Sequence, residues 1–263
     1  MRGKRYVREL LEKYKAGAIG EDELIREICK FSFELIVTET IKFDIERDLR
    51  VGFPEVIYAP GKKYEDLKKI LKEAIDRKGL VFLSDFDNSL IEKVLAEFPE
   101  VEMKRRGKIL SLRSRPRNEI GLKVGAITAG TSDVDRAEEF SLILEEMGFE
   151  VVKEYDVGIS SIKRALDAVR KMMEEEVKLI VVFSGMDGIL PTLVSSLVGV
   201  PVIGVPTSSF RGNGRTPLMT MLSSCSPGLL VVNVDNSVGA AAAAVRILNL
   251  LLRKDERPKN KNQ

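Results

Sequence analysis

Histidine and tryptophan are both absent from the 263 residues, and cysteine occurs only twice, at Cys29 and Cys225. Histidine is the usual proton carrier near neutral pH and the commonest metal ligand. Its absence excludes Ser-His-Asp and Cys-His nucleophilic centres, Cys/His zinc sites and facial iron triads. Chemistry is left to a thiol, carboxylates, Lys and Arg, hydroxyls, backbone amides, or a hard cation held by oxygen. Two cysteines are too few for a disulfide framework and suit a reducing compartment. No stretch reaches the ~18 apolar residues of a membrane span, and the basic opening Met1 to Glu12 lacks the apolar run of a signal peptide. A cytoplasmic protein without membrane association is therefore expected. A net charge of +2 gives no bulk field that would gather nucleic acid.

What is present is an ordinary core-forming composition, 44% hydrophobic, in a chain long enough for one large or two modest domains. The first fifty residues read as helices, with Val7, Leu10, Leu11 and Tyr14 on one stripe and Leu24, Ile25 and Ile28 on another. Cys29 joins that second stripe and is expected in the core. From Phe53 to Leu112 short apolar runs alternate with helical stretches, which reads as a small α/β unit. The connector Ser114-Arg115-Pro116-Arg117-Asn118 marks a boundary, giving an N-terminal helical and α/β domain over 1–118.

Residues 119–254 carry a second rhythm. Strands are expected at 122–128, 150–155, 179–184, 202–205 and 229–234, with helices at 134–147, 161–175, 189–197, 216–223 and 238–252. Buried Val/Ile/Leu runs separated by helices mean a parallel sheet covered on both faces. The expected fold is α/β, a doubly wound, flavodoxin-like three-layer sandwich. Only the tail 255–263 reads as disordered.

Polar and glycine-bearing segments stand where the strands hand over to their next elements. In an open parallel sheet the loops outside the carboxyl ends of strands bind ligands. Gly130-Thr131-Ser132-Asp133 opens a helix, where Ser132 or Asp133 serves as a cap or free amides attract a phosphate. Gly185-Met186-Asp187-Gly188 opens another, with Asp187 either complementing the helix dipole or facing a ligand. Arg211 lies in a glycine-bearing loop suited to an anionic substrate or to plain solvent exposure. Cys225 ends a helix and precedes a strand, so simple topology puts it at the edge opposite the other loops. It is either structural or completes a site through a subunit interface or an unusual helix placement.

The segments Ala129-Gly130-Thr131-Ser132-Asp133, Tyr155-Asp156-Val157-Gly158, Gly185-Met186-Asp187-Gly188-Ile189-Leu190-Pro191, Pro206-Thr207-Ser208, Ser224-Cys225 and Asn233-Val234-Asp235-Asn236 together resemble the LarB family. Its members are carboxylases of nickel-pincer cofactor synthesis, related in fold to the aminoimidazole ribonucleotide carboxylases and mutases. Arg50 to Val56 with Gly61-Lys62 resembles the family's N-terminal region.

The resemblance implies carboxylation of the pyridinium ring of nicotinic acid adenine dinucleotide by carbon dioxide. Phosphoanhydride hydrolysis releases AMP and leaves pyridinium-3,5-biscarboxylic acid mononucleotide. It implies that Cys225 adds transiently to the ring and makes Asp187, where the family has Glu, a candidate base. It implies substrate contacts from Gly130, Thr131, Ser132, Asp133, Asp156, Gly185, Met186, Gly188, Thr207, Ser208, Arg211, Asn233, Asp235 and Asn236. A magnesium ion at Asp133, no organic cofactor and a homo-oligomer follow from the same resemblance, the related purine enzymes being octamers. The alternatives are a purine-pathway carboxylase or mutase acting on carboxyaminoimidazole ribonucleotide, and a non-catalytic nucleotide-binding module. The missing histidine counts against the purine alternative.

Overall fold

The computed structural model describes residues 2–30, 33–210 and 212–255, with side chains described from 7 to 252 among them. Helices α1 (Arg2–Lys15) and α2 (Glu21–Cys29) open the chain. Of their apolar stripes only Leu10 and Leu24 are buried, while Leu11, Tyr14, Ile25 and Ile28 are exposed. Cys29 is half-buried, which corrects the expectation of a core cysteine. These helices pack on each other and, through α2, on the short α3 (Arg47–Val51).

The all-helical reading of the first fifty residues is corrected by a hairpin, β1 (Leu35–Val37) with β2 (Lys42–Asp44). Ile36 and Phe43 pair across it and point inward while their neighbours face out. That two-residue period, in a stretch rich in β-branched side chains, belongs to strands.

The rest of the N-terminal domain is a four-stranded sheet built from β3 (Val56–Tyr58), α4 (Tyr64–Lys78), β4 (Leu80–Ser84), α5 (Asn88–Glu97), β5 (Glu102–Arg106) and β6 (Ile109–Arg113). Its order is β3-β4-β6-β5, with β3 parallel to β4 and the other pairs antiparallel. One face buries Val81, Leu83, Leu110 and Leu112 with Leu67, Ile70 and Leu71 of α4. The other turns Phe82 and Ile109 towards the second domain.

That domain comprises β7 (Lys123–Thr128), α6 (Val134–Glu146), β8 (Glu150–Glu154), α7 (Ile162–Glu174), β9 (Ile180–Ser184), α8 (Leu190–Leu197), β10 (Val202–Pro206), α9 (Arg215–Leu222), β11 (Leu229–Val231) and α10 (Ser237–Asp255). The five strands run parallel in the order β11-β10-β9-β7-β8, the flavodoxin-like arrangement read from its far edge. Helices α6 and α10 cover one face and α7 and α8 the other. Strand β11 is shorter than its apolar run: Val232 still donates to the Gly204 carbonyl of β10, but the next N–H bonded to β10, at Pro206, is that of Asp235, so one extra residue breaks the ladder. Helix α10 extends through Asp255, and the remainder of the expected tail, 256–263, lies outside the described residues.

Helix α6 lies between the two sheets, so both its faces are buried, including Phe140, Leu142, Ile143 and Leu144. Its carboxylates at Glu139 and Glu146 are buried too, and each has partners. Glu146 accepts from Arg113 Nε at 2.6 Å and Lys104 Nζ at 3.0 Å, joining the two domains. Glu139 accepts from Arg136, from the Lys108 N–H and from the Ser237 hydroxyl. Tyr155, at the end of β8, donates to Glu138; burial, then that bond, pushes its phenol well above the ordinary tyrosine value. No helix among the described residues is long and apolar enough to cross a membrane.

Candidate active site

Strands β7 and β9 are neighbours although β8 separates them in sequence, and their following loops diverge to opposite faces of the sheet. Over that junction lies a cleft of about 300 Å³. Its walls come from the loops after β7, β8, β9 and β10, so four separated segments meet at one sheet edge. Gly130, Ser132 and Asp133 line it from the first loop, Asp156 from the second, and Gly185, Met186 and Asp187 from the third.

Local backbone chemistry sets the third loop. Gly188 has φ 69°, and a Cβ there would stand 2.6 Å from the Pro217 Cα, so only glycine lets α9 approach. Gly185 faces the Ser209 and Thr207 hydroxyls with no room for a side chain. Between these glycines Met186 and Asp187 are exposed, and Asp187 accepts the Ile189 N–H at 3.2 Å, which orients its carboxylate. Met186 and Asp156 both occupy the left-handed region, at φ 42° and 54°. Non-glycine residues in that region cluster at ligand sites.

Asp133 is 2% exposed, and its carboxylate is engaged on both oxygens. Oδ1 accepts from Thr207 Oγ1 at 2.5 Å and Ser209 Oγ at 2.6 Å, and Oδ2 from the Gly130 N–H at 3.1 Å. It ties the loops after β7 and β10 together. Among the described residues no three acidic or thiol side chains converge as a metal-ligand set. A magnesium ion at Asp133 would share a carboxylate that already accepts from two hydroxyls and a backbone N–H. Replacing Asp133 by Asn sets an amide against the Gly130 N–H or the two hydroxyls. It should cost about 2 kcal/mol, as for a lost charge-assisted hydrogen bond, read as a lower urea midpoint. Unchanged stability would return the carboxylate to a ligand-only role.

The other expected site residues divide. Thr207 is buried behind the cleft, and Ser208 turns away to donate through its N–H and hydroxyl to Asp235. Asp235 and Asn236 line a different cavity, between the domains, with Asp85, Lys108 and Arg136. Asn233 accepts the Asn236 N–H within its own turn. Thr131 and Gly188 support the loops without lining the cleft. Arg211 lies outside the described residues.

Cys225 is exposed and is not part of the cleft wall. Its neighbour Ser224 accepts from Thr192 Oγ1 at 2.9 Å, in the first turn of α8. The Cys225 turn thus reaches further towards the carboxyl edge than simple topology allows, since α9 spans only eight residues.

One functional candidate was missed from sequence. Arg164, in the first turn of α7, is the only basic side chain among the described residues of the wall. Its Nη1 donates to the Asp156 carboxylate at 2.7 Å and carbonyl at 2.8 Å, and its Nη2 to Ser160 Oγ at 3.1 Å. Its signal was positional: a basic residue opening a helix directly after a carboxyl-edge loop. The cleft thus offers one arginine, an oriented carboxylate, exposed hydroxyls, and apolar cover from Ile159, Leu190 and Phe210. That set suits an anionic ligand carrying a flat ring.

Residues 123–259 match the family described as AIR carboxylase, and residues 36–115 match the LarB/PurE-like N-terminal domain. Uncharacterized protein MJ0165 of Methanocaldococcus jannaschii is 39% identical over 254 residues, covering 93% of this chain and 98% of that one. An N5-carboxyaminoimidazole ribonucleotide mutase of Pyrococcus horikoshii is 35% identical over 133 residues, 48% of this chain and 72% of its own. A second enzyme of that name, from Thermotoga maritima, is 29% identical over 135 residues, 49% of this chain and 75% of its own.

Proposed function

This chain belongs to the AIR carboxylase family, as a LarB member with the LarB/PurE-like domain ahead of the catalytic one, and from that premise we propose which ring it carboxylates. Membership gives a carboxylase or mutase type of enzyme. The proposed substrate is nicotinic acid adenine dinucleotide, carboxylated at C5 of its pyridinium with release of AMP. The observation that carries this reading is Cys225, exposed in a chain with no histidine and preceded by the LarB/PurE-like domain.

The chemistry needs a thiolate. A pyridinium is an electrophile and does not attack carbon dioxide. Addition of the Cys225 thiolate forms a C–S bond and gives a neutral, enamine-like dihydropyridine whose C5 is nucleophilic. C5 then forms a bond to carbon dioxide, a base takes the C5 proton, and the C–S bond breaks to restore the aromatic ring and the thiolate. Asp187, oriented in the cleft, is the proposed base, and Arg164 the proposed partner of a substrate anion. Water supplies the hydroxyl for cleavage of the phosphoanhydride.

Because Cys225 stands outside the wall of the cleft in its own chain, the proposal includes a homo-oligomer in which one copy's Cys225 serves a neighbour's cleft. The proposed setting is the cytoplasm, where the substrate and reduced thiol coexist.

The mutase names of the shorter relatives favour carboxyaminoimidazole ribonucleotide as the second reading. The test supplies each substrate separately, with bicarbonate, and follows AMP by chromatography and carboxylated mononucleotide by mass spectrometry. AMP and biscarboxylated product from the dinucleotide support the first reading. Turnover of the imidazole ribonucleotide alone replaces it with the second.

A further inference from the structure

The N-terminal domain also places two parallel strands side by side, β3 and β4, each running into a helix at the same sheet edge. Between the loops after these strands lies a cavity of about 260 Å³, floored by Ala59 and Leu67 and rimmed by Lys62, Tyr64, Phe86 and Lys93. The carboxyl ends of parallel strands are where open α/β sheets take ligands.

Its charges are unevenly committed. Lys62 Nζ sits 5.8 Å above the Tyr58 ring and Lys93 Nζ 5.3 Å above the Tyr64 ring. Among the described residues neither ammonium has a carboxylate within ion-pair distance, whereas their neighbours Lys63 and Lys68 pair with Glu39 and Glu97. The two acids in the wall are already engaged. Asp85 pairs with Lys108 at 3.2 Å, and Asp87 accepts from Ser89 Oγ and the Leu90 N–H, each at 2.8 Å. With Asp85 neutralised by Lys108, Lys62 and Lys93 outweigh the one remaining carboxylate of the wall, Asp87, whose charge Lys93 helps to hold, and aromatic rings orient both ammonium groups.

We infer that this crevice is a second ligand site, separate from the cleft over β7 and β9, and that it takes a phosphate-bearing small molecule of nucleoside-monophosphate size. The lysines hold the phosphate as point charges. The Arg105 guanidinium lies 5.2 Å from the Phe86 ring centroid and the Lys93 ammonium over Tyr64, which leaves each ring one further face for a heterocycle. The site does not depend on which ring the catalytic domain carboxylates.

The test is hydrogen–deuterium exchange of the full chain with inorganic phosphate, ribose 5-phosphate or AMP, with affinities from calorimetry. AMP should protect amides in 59–67 and 85–93, and the double variant Lys62→Ala/Lys93→Ala should bind it at least ~10-fold more weakly, the worth of one charge-assisted hydrogen bond. Asp187→Asn, in the other cleft, should leave that protection unchanged. Equal protection by inorganic phosphate keeps the site and assigns its affinity to the phosphate group alone. Protection confined to 129–133 and 156–164, no protection by any of the three probes, or unchanged affinity in the double variant overturns the inference.

Discussion

Cys225→Ala should abolish formation of the carboxylated product from nicotinic acid adenine dinucleotide, lowering turnover by at least ~10³-fold, as expected when a nucleophile acting through a covalent intermediate is removed. Thermal stability should stay within about 0.5 kcal/mol of wild type, because the side chain is exposed. An absorbance band of a dihydropyridine, with the mass of a thiol adduct, should form in wild type and be missing in the variant. Full turnover by Cys225→Ala removes the thiolate mechanism. The same variant tests assembly. Mixed with Asp187→Ala, itself inactive, it should regain part of the activity, because a mixed oligomer holds clefts with an intact Asp187 facing an intact Cys225. No recovery after subunit exchange would confine each site to one chain.

Glu146→Ala should cost about 3 kcal/mol of stability. The Glu146 side chain is 2% exposed and that of its partner Arg113 only 11%, so losing the carboxylate leaves a guanidinium largely cut off from water. Lys104, whose ammonium is held above its ordinary pKa by Glu102 and then Glu146, loses its second partner as well. Chemical unfolding followed by circular dichroism reads the loss. Glu102→Ala is the control, since that carboxylate is 57% exposed and its pairing with Lys104 is worth less than about 1 kcal/mol. Replacing Arg113 and Glu146 together by Met and Leu should recover most of the stability, because no charge is then stranded. A loss for Glu146→Ala no larger than the control's would mean that water reaches Arg113.

Much of the architecture was legible because it is local. The Val/Ile/Leu runs at 122–128, 150–155, 179–184 and 202–205 lie within one residue of strands β7 to β10 at each end. The helices between them are equally close. The errors have physical causes. The hairpin of β1 and β2 has only three residues a strand, too few for its alternation to stand out from the flanking helical pattern. The stripes of α1 and α2 predicted burial, but periodicity shows only that a face is apolar and does not name what covers it. Strand β11 stops early because one extra residue between Val232 and Asp235 breaks its ladder to β10, an event with no hydropathy signal.

The candidate site was legible in residue type and less so in role. Gly130, Ser132, Met186 and Asp187 were picked out by their place after strands and Asp156 through the family resemblance, and all line one cleft. Asp133 lines that cleft too, and its carboxylate also accepts from Thr207 and Ser209, residues more than seventy positions away. Arg164 went unread because its partner, Asp156, is set by a loop conformation and not by helical spacing.

The sequence alone determined what the chain cannot do, through its missing histidines, and where strands, helices and carboxyl-edge loops fall. Each follows from composition or from a backbone period of two or 3.6 residues. Only the tertiary structure decided which loops meet. The order β11-β10-β9-β7-β8 brings the loops after β7 and β9 to the point where the winding reverses, and it sends Asp235 and Asn236 to the side facing the N-terminal domain. Strand order is settled by packing between residues far apart in the chain, in particular by α6, whose burial on both faces joins the two sheets into one body.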